Sequence, residues 1–304
     1  MAACLAMATA ACASVNPSPH GAAPEPLARA PRAVKVFRGD TGAPATWDEL
    51  VEAASKTEVV FVGENHGHPL GLASAAALFD DVVARAPKAA LSMEFLERDE
   101  QTRVDDFLRD VSDLATFERR TGRTSGNYPP GHRAMVESAK KNLRAVHAAN
   151  APRQYVRIAS KQGYEPLTKL TPEQQRLFVV PRELIGGRYR TDFDRVMTPA
   201  DRDPNAADER ERLDHVFRSQ QVWDWTMADS LNTALKRGES PVVHVVGRFH
   251  SDFNGGTPQA LALLRPGTRY QLVSFVDTWG DALAEADKHR GDFVIYVGPS
   301  PTQE

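Results

Sequence analysis

Residues 58–72 read Glu58-Val59-Val60-Phe61-Val62-Gly63-Glu64-Asn65-His66-Gly67-His68-Pro69-Leu70-Gly71-Leu72. The first five residues are a continuous β-branched and aromatic run, the pattern of a strand buried on both faces. Gly63 permits a sharp exit from that strand. Pro69 then suits the first turn of a helix, and residues 69–85 place Leu70, Ala73, Ala77, Leu78 and Val82 on one face. Strand, polar turn and helix thus follow one another in under thirty residues.

The same grammar recurs along the chain. Expected strands are 89–93 (AALSM), 143–148, 241–246 (PVVHVV), 270–276 and 292–297, and expected helices are 98–109, 133–142, 220–236, 258–264 and 279–288. Residues 119–133 are rich in Gly, Pro and Ser and read as a loop. This alternation predicts an α/β fold, a mainly parallel sheet with helices on both faces. Residues 155–215 break the pattern: they are charged, carry five prolines and lack strand signal. They read as a largely helical insertion or cap, with short helices at 172–177 and 206–217. The domain as a whole is expected to span residues 34–300.

Three strands are followed at once by polar residues: 58–62 by Glu64, His66 and His68, 89–93 by Glu94, and 241–246 by Gly247-Arg248-Phe249-His250. In an open parallel sheet the carboxyl ends of the strands form the binding edge. Glu64, His66, Glu94 and His250 are therefore expected to meet there as a catalytic or metal-binding group. Two imidazoles and two carboxylates make a hard-to-borderline ligand set that suits Zn, Mn, Fe or Co, and a spare carboxylate would activate a metal-bound water. Taken singly, Glu64 would cap the helix beginning near Pro69 and Glu94 would pair with Arg98. His68 reads either as a supporting group or as a solvated one, and His244, alternating within its strand, as core.

The chain has 304 residues and a net charge of −3. No basic stripe dominates, so a nucleic-acid partner is not expected. Both cysteines, Cys4 and Cys12, lie in the first twelve residues, which removes thiolate metal sites and internal disulfides from the folded part. Residues 1–13 are small and apolar like a secretory leader, and residues 14–33 are polar and Pro-rich like a tether. Thr9-Ala10-Ala11-Cys12 resembles a lipobox, which implies a lipid on Cys12, export and anchoring to the membrane of a bacterial cell envelope.

VVFVGENHGHPLGL (59–72), ALFDDVV (77–83), LSMEFLERDEQ (91–101), RAMVESAKKNLRAVHAANAPR (133–153), QQVWDWTMADSL (220–231) and PVVHVVGRFHSDFNGGTPQAL (241–261) together resemble the ChaN-like proteins of the haem-binding uptake (Tiki) superfamily. The resemblance covers residues 45–276 apart from the insertion. The superfamily's paired G-x-x-H motifs and glutamate correspond to Gly63–His66, Gly247–His250 and Glu94. Two activities are implied. One is haem or iron binding by an envelope lipoprotein in iron uptake. The other is metal-dependent hydrolysis of an amide or ester bond in a small-molecule or peptide substrate, with His66 and His250 holding a divalent metal such as Mn, Co, Zn or Fe, or acting as base without one. For haem, the expected contacts are Arg248, which would clasp a propionate, together with His68 and Tyr128. Tyr155, Tyr164 and Tyr189 are further phenols able in principle to ligate iron. No CxxCH occurs, so covalent c-type attachment is excluded.

Overall fold

The computed structural model describes residues 30–124 and 126–300. The expected leader and lipidated Cys12 lie outside the described residues. In chain order the strands are β1 (Lys35–Arg38), β2 (Pro44–Ala45), β3 (Val59–Glu64), β4 (Ala90–Glu97), β5 (Val146–Asn150), β6 (Val242–Gly247), β7 (Tyr270–Val276) and β8 (Phe293–Tyr296). The helices are α1 (Trp47–Ser55), α2 (Pro69–Arg85), α3 (Gln101–Leu108), α4 (Leu114–Thr121), α5 (Pro130–Lys141), α6 (Arg153–Gln162), α7 (Glu165–Thr168), α8 (Pro172–Gln175), α9 (Gly187–Met197), α10 (Ala207–Lys236), α11 (Arg248–Ser251) and α12 (Gly256–Leu264).

The strands form one sheet in the order β2-β1-β8-β7-β3-β6-β4-β5. From β8 to β5 every neighbouring pair is parallel, and only β1 joins antiparallel, to β2 and β8. The two-residue side-chain period sorts the sheet's apolar residues onto two faces. Val60, Val62, Leu91, Met93, Val243 and Val245 pack with α1, α2 and α5 through Leu50, Leu78, Phe79 and Met135. Val59, Phe61, Val242 and Leu272 pack with α9, α10 and α12 through Phe193, Trp225, Leu231 and Leu261. His244 belongs to the second face, fully buried and edge-on to Phe61, as its place in the alternation predicts.

Between β5 and β6 the described residues hold helices and no strand, so the insertion is helical as expected. Its boundary is less abrupt than the sequence implied. The expected helices at 206–217 and 220–236 are one continuous helix, α10, since no Gly or Pro interrupts 207–236. The expected helix at 279–288 shrinks to a single 3-10 turn, Glu285–Asp287. Tertiary bonds claim that segment: Ala284 N–H donates to the Tyr296 hydroxyl at 2.9 Å, which donates to Asp287 at 2.6 Å. The strand expected at 143–148 begins three residues later, because exposed Leu143 takes φ +56 in the turn before it. Among the described residues no helix is long and apolar enough to cross a membrane.

Candidate functional site at the carboxyl edge of the sheet

β3, β6 and β4 are adjacent, so the residues after them are brought to one edge, with Glu64 in register beside Gly247. The group straddles the sheet. Glu64 turns to the α5 side: its Oε1 accepts from His66 Nδ1 at 3.0 Å and its Oε2 from His132 Nε2 at 2.7 Å. Glu94 turns to the α10 side: its Oε2 accepts from the Gly247 N–H at 2.6 Å, and its Oε1 lies 3.7 Å from His250 Nε2. His250 Nδ1 donates to Asp224 Oδ1 at 2.7 Å. His66 sits on the crest with its side chain 68% exposed, and its Nε2 makes no hydrogen bond within the described residues. A Cβ built on Gly247 would lie 2.7 Å from that Nε2 and 3.3 Å from Glu94 Oε2. Glycine therefore lets the three segments approach.

The electrostatics follow from these partners. Burial alone would push the Glu64 carboxyl up, but hydrogen bonds from His132 and His66 outweigh it and bring it down to about 2. The hydrogen bond to Glu64 in turn raises His66. Burial works against a charged His250, yet Asp224 and Glu94 prevail and lift it to about 9. His244 has no carboxylate beside it; burial, with neighbouring His250, drops it to about 3. A protonated imidazole at the edge thus stands near a neutral one buried within β6.

The four expected ligands converge, but not around one point. They form His66–Glu64 and His250–Asp224 pairs, with Glu94 holding the backbone of Gly247. Among the described residues no group of three or more His, Cys, Asp or Glu side chains is placed to hold a metal ion. Neither single-residue reading of the carboxylates matches the contacts. The cap of α2 is His68, whose Nδ1 accepts from Gly71 N–H at 3.0 Å while Nε2 donates to the Gly298 carbonyl at 2.9 Å; Glu64 lies outside the cap. Arg98 pairs with Asp229 at 2.8 Å and leaves Glu94 alone. With both ring nitrogens bound to backbone, buried His68 does structural work. Tyr128 is 5% exposed and stacks on Phe95 within the core. Arg248 faces Asp277 at 3.4 Å; it does not reach Glu64.

Two members of the site, Asp224 and His132, were missed in the sequence, and a third, Tyr189, was named there only as a phenol able to ligate iron. Asp224 lies on α10 and also accepts from Thr257 Oγ1 at 2.8 Å and Tyr189 Oη at 2.6 Å. Tyr189, from α9 in the insertion, accepts in turn from Gln220 at 2.9 Å. His132 lies on α5. A signal existed for Asp224: an acid flanked by Trp223 and Trp225 in an apolar helix stripe is a buried charge that demands a partner. Nothing comparable marked His132, or the bond of Tyr189 to Asp224.

Residues 50–261 match the sequence profile of the family described as haem-binding uptake, Tiki superfamily, ChaN. Among solved structures, ChaN of Campylobacter jejuni, described as binding haem cofacially, aligns with a TM-score of 0.65 at 14% identity, covering 86% of this chain and 96% of that one. The type III effector HopBA1 aligns with a TM-score of 0.46 at 16% identity over 89% and 98% of the two chains. An erythromycin esterase mutant, EreC, aligns with a TM-score of 0.45 at 12% identity over 83% and 79%. Among curated proteins, none matches the chain. With the profile spanning most of the fold and both G-x-x-H motifs at the edge just described, the chain belongs to the ChaN family of haem-binding uptake proteins in the Tiki superfamily.

Proposed function

We propose that the chain binds haem at the carboxyl edge of the sheet, with His66 as the iron ligand. One observation carries this reading: an exposed imidazole whose Nδ1 is tied to a buried carboxylate and whose Nε2 makes no hydrogen bond among the described residues. A carboxylate on the far nitrogen fixes the tautomer and raises the basicity of a ligating histidine. The phenols fit less well. Burial pushes Tyr128, Tyr164 and Tyr189 up, which opposes the phenolate that iron requires. Trp279, 47% exposed just beyond β7, supplies a flat apolar surface on the same edge. The leader-like residues 1–13 and the lipobox-like segment ending at Cys12 support a place in the cell envelope, where haem capture would serve iron uptake.

Haemin titration of the purified chain, followed in the Soret region, tests the proposal. A shifted band at micromolar haem is expected for the wild type, and His66→Ala is expected to alter its position and weaken binding. No Soret shift at micromolar haem refutes haem binding, and an unchanged spectrum in His66→Ala refutes the assigned ligand.

A further inference from the structure

A cleft of about 260 Å³ opens beside the site, between α9 and the segment 248–255. Arg188, Arg195, Arg248 and Arg290 border it, against two carboxylates, Asp192 and Asp252. Each acid has a guanidinium partner, although Asp252 Oδ1 is buried without a hydrogen bond. Asp192 is held by Arg188 at 3.1 Å and by Arg195 at 3.0 Å, and Asp252 by Arg290 at 2.7 Å. Arg248 has less. Its ion pair is the 3.4 Å contact with Asp277, outside the cleft, and its Nη1 is buried without a hydrogen bond. A guanidinium donor left in that state favours any acceptor that reaches it. Arg188 and Arg290 also pack on the one ring of Phe253, at 3.5 and 4.8 Å from its centroid. Two like charges are thereby held close together, and Phe253 itself adopts φ +55, a conformation its side chain disfavours.

The rest of the wall is carbon. Tyr189 and Phe249 line it, and Val196, 61% exposed, forms its lip. An excess of guanidinium beside an aromatic and aliphatic wall is complementary to an acid carried on an apolar body. Tyr189 links this cleft to the neighbouring site, because its hydroxyl donates to the same Asp224 that holds His250.

We propose that this cleft is an acid-recognition subsite, in which Arg188, Arg195 and Arg248 take the carboxylate of an amphiphilic ligand whose body lies against Tyr189, Phe249 and Val196. On the haem reading that carboxylate is a porphyrin propionate; a free dicarboxylate offers the same chemistry. The test uses the full chain and the double variant Arg188→Gln/Arg195→Gln, whose two side chains are 59% and 73% exposed and so replaceable without disturbing the core. Each protein is titrated with haemin and with haemin dimethyl ester, and separately with succinate by calorimetry. The wild type is expected to prefer haemin over the ester at least tenfold, and the double variant to lose that preference. Equal affinity for acid and ester, with no succinate heat, overturns the subsite and leaves haem binding intact. Succinate binding that disappears in the double variant, with no haemin binding at all, upholds the subsite and defeats the haem reading.

Discussion

Replacing Gly247 by alanine isolates the geometry of the site from the stability of the fold. At φ −52 and ψ 128 the backbone accepts any residue, so the variant introduces no main-chain strain. Its effect comes from the added methyl, which would sit 2.7 Å from His66 Nε2, where ordinary contact begins at 3.4 Å. The imidazole must retreat by about 0.7 Å. His66 is exposed and free to do so, and turning the ring aside by that much misaligns and weakens its 3.0 Å bond to Glu64. Because the ring is largely solvated, that loss costs less than about 1 kcal/mol of stability. The cost to a ligand is greater, since removing an outer-shell partner of a ligating histidine typically lowers metal affinity roughly 10–100-fold. Gly247→Ala is therefore expected to melt near the wild type while binding haemin at least tenfold more weakly, with the His66 titration in NMR moving down toward its ordinary value. Wild-type haem affinity together with an unmoved His66 titration would refute the reasoning.

Two other substitutions probe what surrounds this histidine. His250 is lifted from 6.5 to about 9, so the stability it contributes is fully present below pH 6.5 and is lost as pH rises through 9, to the extent of about 3 kcal/mol. Asp224→Asn should abolish most of that dependence, so urea unfolding at pH 6 and pH 10 should show the wild type's advantage shrinking with pH; parallel profiles would contradict the pairing. His68→Ala removes the cap of α2 and the bond to the Gly298 carbonyl, for a loss of about 2 kcal/mol in chemical denaturation. Haem affinity should be unchanged in that variant, and a clear drop would place His68 against the ligand.

Much of the architecture could be read from runs such as EVVFV and PVVHVV, because strands buried on both faces leave continuous apolar stretches. The sheet sets their three strands side by side, so Glu64, His66, Glu94 and His250 reach the same edge, but they form separate pairs on its two faces where one joint group was expected. Elements held by tertiary contacts left fainter marks. β2, of two residues, is the edge strand and β1 the short strand beside it, and α1, α4, α6 and α9 are amphipathic helices in charged sequence that were not anticipated. At the site, the strand-end residues were legible while their partners were not. A helix position such as His132 or Asp224 is chosen by which face meets the sheet, and that is fixed only when the layers pack. A parallel accounting explains His68: the Gly-His-Pro order held a capping signal, with Pro at the first helical position, that competes with any reading of the ring as a ligand.

The uninterrupted α10 has a mechanical consequence. Its thirty residues make a rod of about 45 Å, rooted at one end among the insertion's helices and at the other in the main core. Asp224 and Gln220 ride midway along it. With no joint between the two ends, the insertion cannot swing as a separate flap without tilting this shaft. Any such tilt would be delivered to Asp224, and through it to the imidazole of His250.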